Sequence, residues 1–247
     1  MMPVSGTPST SKSAPRRAAR ALLTVGLIAG PLIFADAMAT VLVVKSSGPS
    51  AGTYKPGRAL PDNAKVALQP ADVLVVLAAE SKRTFHGPGT FNLADASAGS
   101  QAPTAVRRGR FSALRSAGIV PRSPTLWHVD VSQSGKFCLT DKSNVMLWRP
   151  EATDAVTLTL SGAGGASQKI DWPAGQPTLA WPSGLPVTTG TDYQVSWNGK
   201  GAPTHVTFAT LPVTPTDVRS VAQALIDEHC ENQLNLLIDT VPTDSAG

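Results

Sequence analysis

The sequence predicts a mainly β protein built in two modules, with an α-helix closing the second. Three observations carry this. Short runs of Val, Leu and Thr recur along the chain between turn-forming residues, and the composition includes 21 Gly and 21 Pro. Such short, evenly punctuated runs are the mark of β-rich folds. A small, polar, Arg-bearing stretch at 96–124 divides the runs into two groups. Only the last segment, from about residue 215, repeats apolar residues at three- and four-residue steps, as an amphipathic helix does.

The N-terminal 39 residues stand apart from the fold. A basic stretch ending in Arg16-Arg17-Ala18-Ala19-Arg20 precedes the uncharged apolar run 21–35. Ala35-Asp36-Ala37 and Ala37-Met38-Ala39 then supply small-x-small cleavage patterns. The segment reads as a secretory signal of bacterial type, cut after Ala37 or Ala39. The alternative is an uncleaved anchor over 21–44, long enough because about 20 residues span a bilayer. It would place Asp36 in hydrocarbon, which costs roughly 2.5–3.5 kcal/mol near the centre. Both readings send the bulk of the chain to the periplasm, and the anchor adds membrane association through the N-terminus.

Charge narrows the partners. The whole chain carries 21 basic and 17 acidic residues. Beyond residue 37 the excess falls to +1, which is not the footprint of a nucleic-acid binder. Residues 38–122 hold 11 basic and 4 acidic residues, net +7, and residues 123–247 hold 6 and 12, net −6. A basic first half facing an anionic envelope component is one consequence. Two solvated surfaces that attract each other within the chain are the other.

In the first module, strands are expected at 40–44, 66–68, 72–78, 82–86 and 90–94. Gly87-Pro88-Gly89 has the residues of a type II turn, with Pro at the second position and Gly at the third. His86 beside it is expected at a strand edge. The run Gly57-x-x-Leu60, then Val66-Ala67-Leu68-Gln69-Pro70-Ala71-Asp72 leading into Val73–Val76, then Thr84–Phe91, resembles the FecR-type periplasmic domain. The resemblance covers about residues 40–95 and implies a β-rich periplasmic module. Ala71 departs from it, because the family has glycine before this Asp. Some members signal to a cytoplasmic sigma factor through an N-terminal cytoplasmic domain. Only 20 residues precede the apolar run here, so that role is not carried over.

The linker 96–124 holds Arg107, Arg108, Arg110, Arg115 and Arg122. The first four are candidate contacts to an anionic partner, against the alternative of a solvated connection. A short helix is possible at 111–116.

The second module, 125–247, shows eight short strand patterns: 126–131, 136–140, 145–150, 155–160, 168–172, 178–181, 192–197 and 205–211. Their spacing suits a two-sheet sandwich. Gly190-Thr191-Asp192-Tyr193 resembles the tyrosine corner of Ig-like and fibronectin-type sandwiches, in which a Tyr hydroxyl returns to backbone upstream. Trp127, Trp148, Trp172, Trp181 and Trp197 all lie in this module. They serve either as core or as an exposed saccharide-binding row. Gly162-Ala163-Gly164-Gly165 is expected to join two strands. A closing helix is expected over 215–239, with Thr214 as N-cap and Pro215 at the first position.

Chemistry has little sequence support. Cys138 and Cys230 are expected to pair in an oxidising compartment, and closing so long a loop stabilises by roughly 4–5 kcal/mol in the chain-entropy model. Gly48-Pro49-Ser50-Ala51-Gly52 matches the G-x-S-x-G nucleophile elbow, which requires a strand, a sharp turn and a helix. The following Thr53-Tyr54-Lys55-Pro56-Gly57 cannot supply that helix. His86, His128, His205 and His229 lack zinc-ligand spacing, although His128 and Asp130 share a strand face. The expectation is therefore a non-enzymatic periplasmic binding or scaffold protein, with no cofactor and no metal. Its partner would be an envelope protein or polymer, and an accessory role to a membrane-bound sensor follows from the resemblance. Saccharide or polymer binding is the second reading, and hydrolysis at Ser50 the third.

Overall fold

In the first module the chain makes one long β-hairpin and folds it over on itself. Strands β1 (Thr40–Ser47), β2 (Ala59–Pro61), β3 (Lys65–Leu68), β4 (Val73–Leu77), β5 (Lys82–His86) and β6 (Gly89–Asn92) form two sheets. One is four-stranded and antiparallel, in the order β2-β1-β4-β5, and the other is the β3-β6 ribbon. The register Val73↔His86 on one side and Leu68↔Gly89 on the other shows that β3-β4 and β5-β6 are the two bent arms of one hairpin. The bend lays the ribbon over one face of the larger sheet, burying Val41, Val43, Leu74, Val76 and Phe85 against Val66 and Leu68. This computed structural model describes residues 40–79, 81–95, 123–197, 201–211, 215 and 217–244. Residues 1–39, and the linker through residue 122 with its possible helix, lie outside the described residues.

The second module follows as β7 (His128–Asp130), β8 (Gly135–Leu139), β9 (Met146–Trp148), β10 (Val156–Ser161), β11 (Ser167–Trp172), β12 (Thr178–Ala180), β13 (Asp192–Trp197) and β14 (Thr204–Thr210). A five-stranded sheet, β11-β10-β13-β14-β8, faces a three-stranded one, β12-β9-β7. Alternate residues of both sheets fill one core, among them Val129, Phe137, Leu147, Leu158, Leu160, Trp172, Tyr193, Val195, Val206 and Phe208. The Tyr193 hydroxyl donates to the Pro186 carbonyl and accepts from the Thr188 N–H, both at 2.8 Å. The chain is thus mainly β with a C-terminal helix pair.

Three expectations are corrected here. The closing helix is two helices, α1 (Val218–Asp227) and α2 (Glu231–Thr240). His229 breaks them with a φ of 57°. Its N–H bonds to Ile226 and that of Cys230 to Leu225, the paired closure of a Schellman motif. The N-cap is Asp217, not Thr214: its carboxylate accepts from the Arg219 and Ser220 N–H groups, and the Ser220 hydroxyl answers its backbone in a capping box. The Gly87–Pro88 peptide is cis, so this is not a type II turn, and β5 and β6 do not pair with each other. The turn is the corner where one arm of the bent hairpin passes between sheets.

The helix pair ties the modules together. Leu42, Val44, Val75 and Leu77 point away from the ribbon and pack against Ala222, Ile238 and Val241. On another side of the same helices, Leu225 and Cys230 join Cys138, Ala209 and Leu211 of the second module. The described residues from Thr40 onward consequently form one compact unit. Since Val41–Val44 belong to an interior strand buried on both faces, a membrane anchor over 21–44 could not include them in the folded chain. Among the described residues no helix is long and apolar enough to cross a membrane.

Candidate functional site

Where the two modules meet, Gln233 does for β8 what another strand would do. β8 is an edge strand, and an edge exposes unpaired N–H and C=O groups. The buried Gln233 amide accepts from the Cys138 N–H at 2.6 Å and donates to the Cys138 carbonyl at 2.9 Å and to the Leu126 carbonyl at 2.9 Å. Beside it Cys138 and Cys230 are disulfide-bonded, with Cα atoms 5.9 Å apart, and both are fully buried. The bond fixes the turn between α1 and α2 to the sandwich. A disulfide is consistent with an extracytoplasmic location.

The opposite end of the C-terminal segment closes the other exposed edge, β5. The Lys82 N–H donates to the Pro242 carbonyl, the Asp244 N–H donates to the Lys82 carbonyl, and Lys82 Nζ reaches the Ile238 carbonyl at 2.6 Å. Arg83 bridges Asp244 at 2.8 Å and Asp62 at 2.6 Å. The Arg83 hydrogen bond, with one from Ser81, holds the Asp244 carboxyl below its usual pKa. At the start of β1, Arg219 donates to the Thr40 carbonyl at 2.6 Å. Between β1 and the helices a cleft of about 560 Å³ remains, floored by Val44, Leu225 and Leu234 and rimmed by Lys45, His229 and Glu231.

Ser50 does not occupy a nucleophile elbow. It lies in a 3₁₀ turn, Pro49–Gly52, is 7% exposed, and gives its backbone N–H to Asp72 at 2.9 Å. Burial raises the Asp72 pKa, but hydrogen bonds from the Ser50 side chain, the Ser50 N–H and the Gln69 N–H outweigh it and hold the carboxyl below its usual value. These bonds lock the bend of the hairpin. Gly48 has a φ of 94°, and a Cβ there would lie 2.5 Å from the Asp72 carboxylate. At Gly87 a Cβ would strike the Gln69 carbonyl at 2.0 Å, so both glycines are required by the packing of this corner.

The histidines are dispersed. His86 is exposed at the end of β5, and His229 is the exposed residue of the helix–helix turn. His128 contacts Thr125, and burial lowers its pKa. Its strand neighbour Asp130 is engaged by Ser132 and Gln133 instead. His205 pairs with Asp192 at 2.9 Å, with both side chains more than half exposed. That pair escapes sequence reading, because the β13-β14 register brings it together. Among the described residues no cluster of His, Cys, Asp and Glu could hold a metal ion.

Trp148 and Trp172 are buried, while Trp127, Trp181 and Trp197 are half-buried. These three occupy separate places. Trp127 packs near the disulfide, Trp181 stands edge-on to Tyr193 and Phe208, and Trp197 lies at the end of β13. Candidate contacts Arg107, Arg108, Arg110 and Arg115 lie outside the described residues. No family model matches the chain, and no curated protein matches it.

Proposed function

We propose that the chain is an exported, non-enzymatic scaffold or binding protein of the bacterial envelope, acting in the periplasm as an accessory to a partner there. The observation that carries this reading is the double clamp. One helix pair covers the inner face of the first module and is disulfide-bonded to the second. A clamp of this kind holds two surfaces at a fixed spacing, which is what a scaffold requires. The sensor-linked part of the proposal rests on the FecR resemblance. It draws support from Ala71, whose φ of 69° suits the glycine that the family has at that position. A periplasmic Ig-like identity for the sandwich draws support from the Tyr193 hydrogen bonds.

Crosslinking in intact cells, read by mass spectrometry, tests the proposal. One envelope partner should crosslink to lysines of both modules, for example Lys55 and Lys169. Crosslinks confined to a single module would contradict the scaffold role. Labelling of Ser50 by a fluorophosphonate would replace it with hydrolase chemistry.

A further inference from the structure

Among the described residues, most open strand edges are covered or short, and one is neither. Gln233 covers β8, and the C-terminal tail covers β5. The Tyr54 hydroxyl covers β3, accepting from the Ala67 N–H at 3.0 Å and donating to the Ala67 carbonyl at 3.4 Å. The edge strands β2, β6, β7 and β12 are three or four residues long. β11 has six residues, Ser167–Trp172, and pairs only with β10 among the described residues. A long open edge is a template for another strand.

The register identifies which groups face outward. The Gly162 N–H donates to the Ala166 carbonyl, and the β10-β11 pairing runs without a shift from Ser161↔Ser167 to Val156↔Trp172. Antiparallel bonding alternates along a strand, so Gln168, Ile170 and Trp172 bond to β10. The backbone groups of Ser167, Lys169 and Asp171 point away from β10, and all three residues are exposed. Pro173 ends the edge, because it has no N–H to offer.

Charge selects the occupant. A lone Lys on an edge turns a second copy away. Here Asp171 follows two residues later, on the same face and in the same bonding phase, so the edge is complementary to itself. With Ile170 on a two-fold axis, antiparallel pairing sets Lys169 of each copy opposite Asp171 of the other. A register centred on Lys169 would oppose two lysines, and one centred on Asp171 two aspartates. Like charges directly opposite are destabilising. The Thr157 hydroxyl donates to Asp171 Oδ1 at 2.9 Å and holds that carboxylate on the outer face. On the inner face Ile170, half-buried at the margin of the sandwich core, meets its own copy.

We propose that two copies of this chain associate edge to edge through β11, in the register that pairs Lys169 with Asp171, and so join two five-stranded sheets into one. The contact is isologous and therefore closed. The Lys169 amine stays on the solvent side of the joined sheet. The contact uses no residue of the helix pair, so it goes beyond the scaffold reading and fails separately from it. Crosslinking to an envelope partner reports on that reading, and self-association reports on the edge.

Sedimentation velocity of the oxidised chain, in a concentration series, is the test. One short strand buries less than about 1,200 Å², the range of weak complexes, so the dissociation constant should be about 10–100 µM. Lys169→Asp and Asp171→Lys, each alone, oppose like charges twice and should weaken association about tenfold or more. Mixed in equal amounts, the first variant is acidic at both positions and the second basic at both, and association should return. Amide hydrogen exchange of the unsubstituted chain gives a readout that needs no variant: the Lys169 and Asp171 N–H groups should exchange more slowly as the dimer forms. The proposal is overturned by a chain that stays monomeric through this range, or by a dimer that neither reversal weakens or that mixing does not restore. A dimer in which the Lys169 and Asp171 N–H groups exchange as fast as in the monomer also overturns it, since the contact would then lie on another surface.

Discussion

Two residues hold left-handed backbone without being glycine. Ala71 has a φ of 69° and His229 a φ of 57°. The left-handed region costs an L-residue roughly 1–2 kcal/mol, and glycine returns about 0.5–1 kcal/mol of that as unfolded-state entropy. Ala71→Gly and His229→Gly should therefore each stabilise by up to about 1 kcal/mol, measured by chemical denaturation. A loss of stability in either would show that its side chain is engaged. Tyr193 makes the opposite case. Its hydroxyl serves as both donor and acceptor, at about 0.5–1.5 kcal/mol per hydrogen bond, so Tyr193→Phe should cost about 1–3 kcal/mol. This contact was legible in Gly190-Thr191-Asp192-Tyr193. The Ser50–Asp72 contact was not, because G-x-S-x-G does not reveal a carboxylate 22 positions later. The buried Trp197 N–H, which has no acceptor among the described residues, had no sequence signal at all, since it depends on what the neighbouring strands leave uncovered.

Strands were largely legible, because alternating Tyr193-Gln194-Val195-Ser196 and Thr157-Leu158-Thr159-Leu160 each bury one face. Leu42-Val43-Val44 and Leu74-Val75-Val76-Leu77 are apolar on both faces, the pattern of a doubly covered strand. Which element covers the second face is a long-range fact, and the helix pair that does so lies about 180 residues downstream, as the Arg219–Thr40 bond illustrates. The split between α1 and α2 stayed hidden because His229 stands where glycine would announce a helix end, and the apolar spacing runs on through Cys230. At this scale the clamp depends on Gln233 and on the tail. Gln233→Ala leaves the Cys138 N–H buried and unpaired, and should cost about 1–3 kcal/mol. Asp217 and Asp244 both have folded pKa values lowered by their hydrogen bonds, from Ser220 and from Arg83 respectively. Their stabilisation is complete above the unfolded carboxylate value of about 3.9, and is lost as pH falls through the lower folded values. The melting midpoint should hold from pH 7 to about 5 and drop below about pH 4. Asp244→Asn should lower it at neutral pH and flatten the acid limb. An unchanged acid limb in Asp244→Asn would remove the tail from this explanation.

At the largest scale, the described residues from Thr40 onward are held together by one C-terminal segment that reaches both modules. Its two helices cover the first sheet, Cys230 and Gln233 hold β8, and the last residues pair with β5. The first module's sheet has one face uncovered without the helices that the second module contributes. Removing the disulfide, by Cys138→Ser with Cys230→Ser, should cost about 2–5 kcal/mol and release the helices from the sandwich before the sandwich itself unfolds. The decisive measurement is differential scanning calorimetry of the oxidised chain at neutral pH. The clamp predicts one transition, with calorimetric and van't Hoff enthalpies equal, and a split into two once the disulfide is reduced. Two separate transitions in the oxidised protein would contradict it, since the modules would then fold independently and the fixed spacing proposed for the scaffold would be lost.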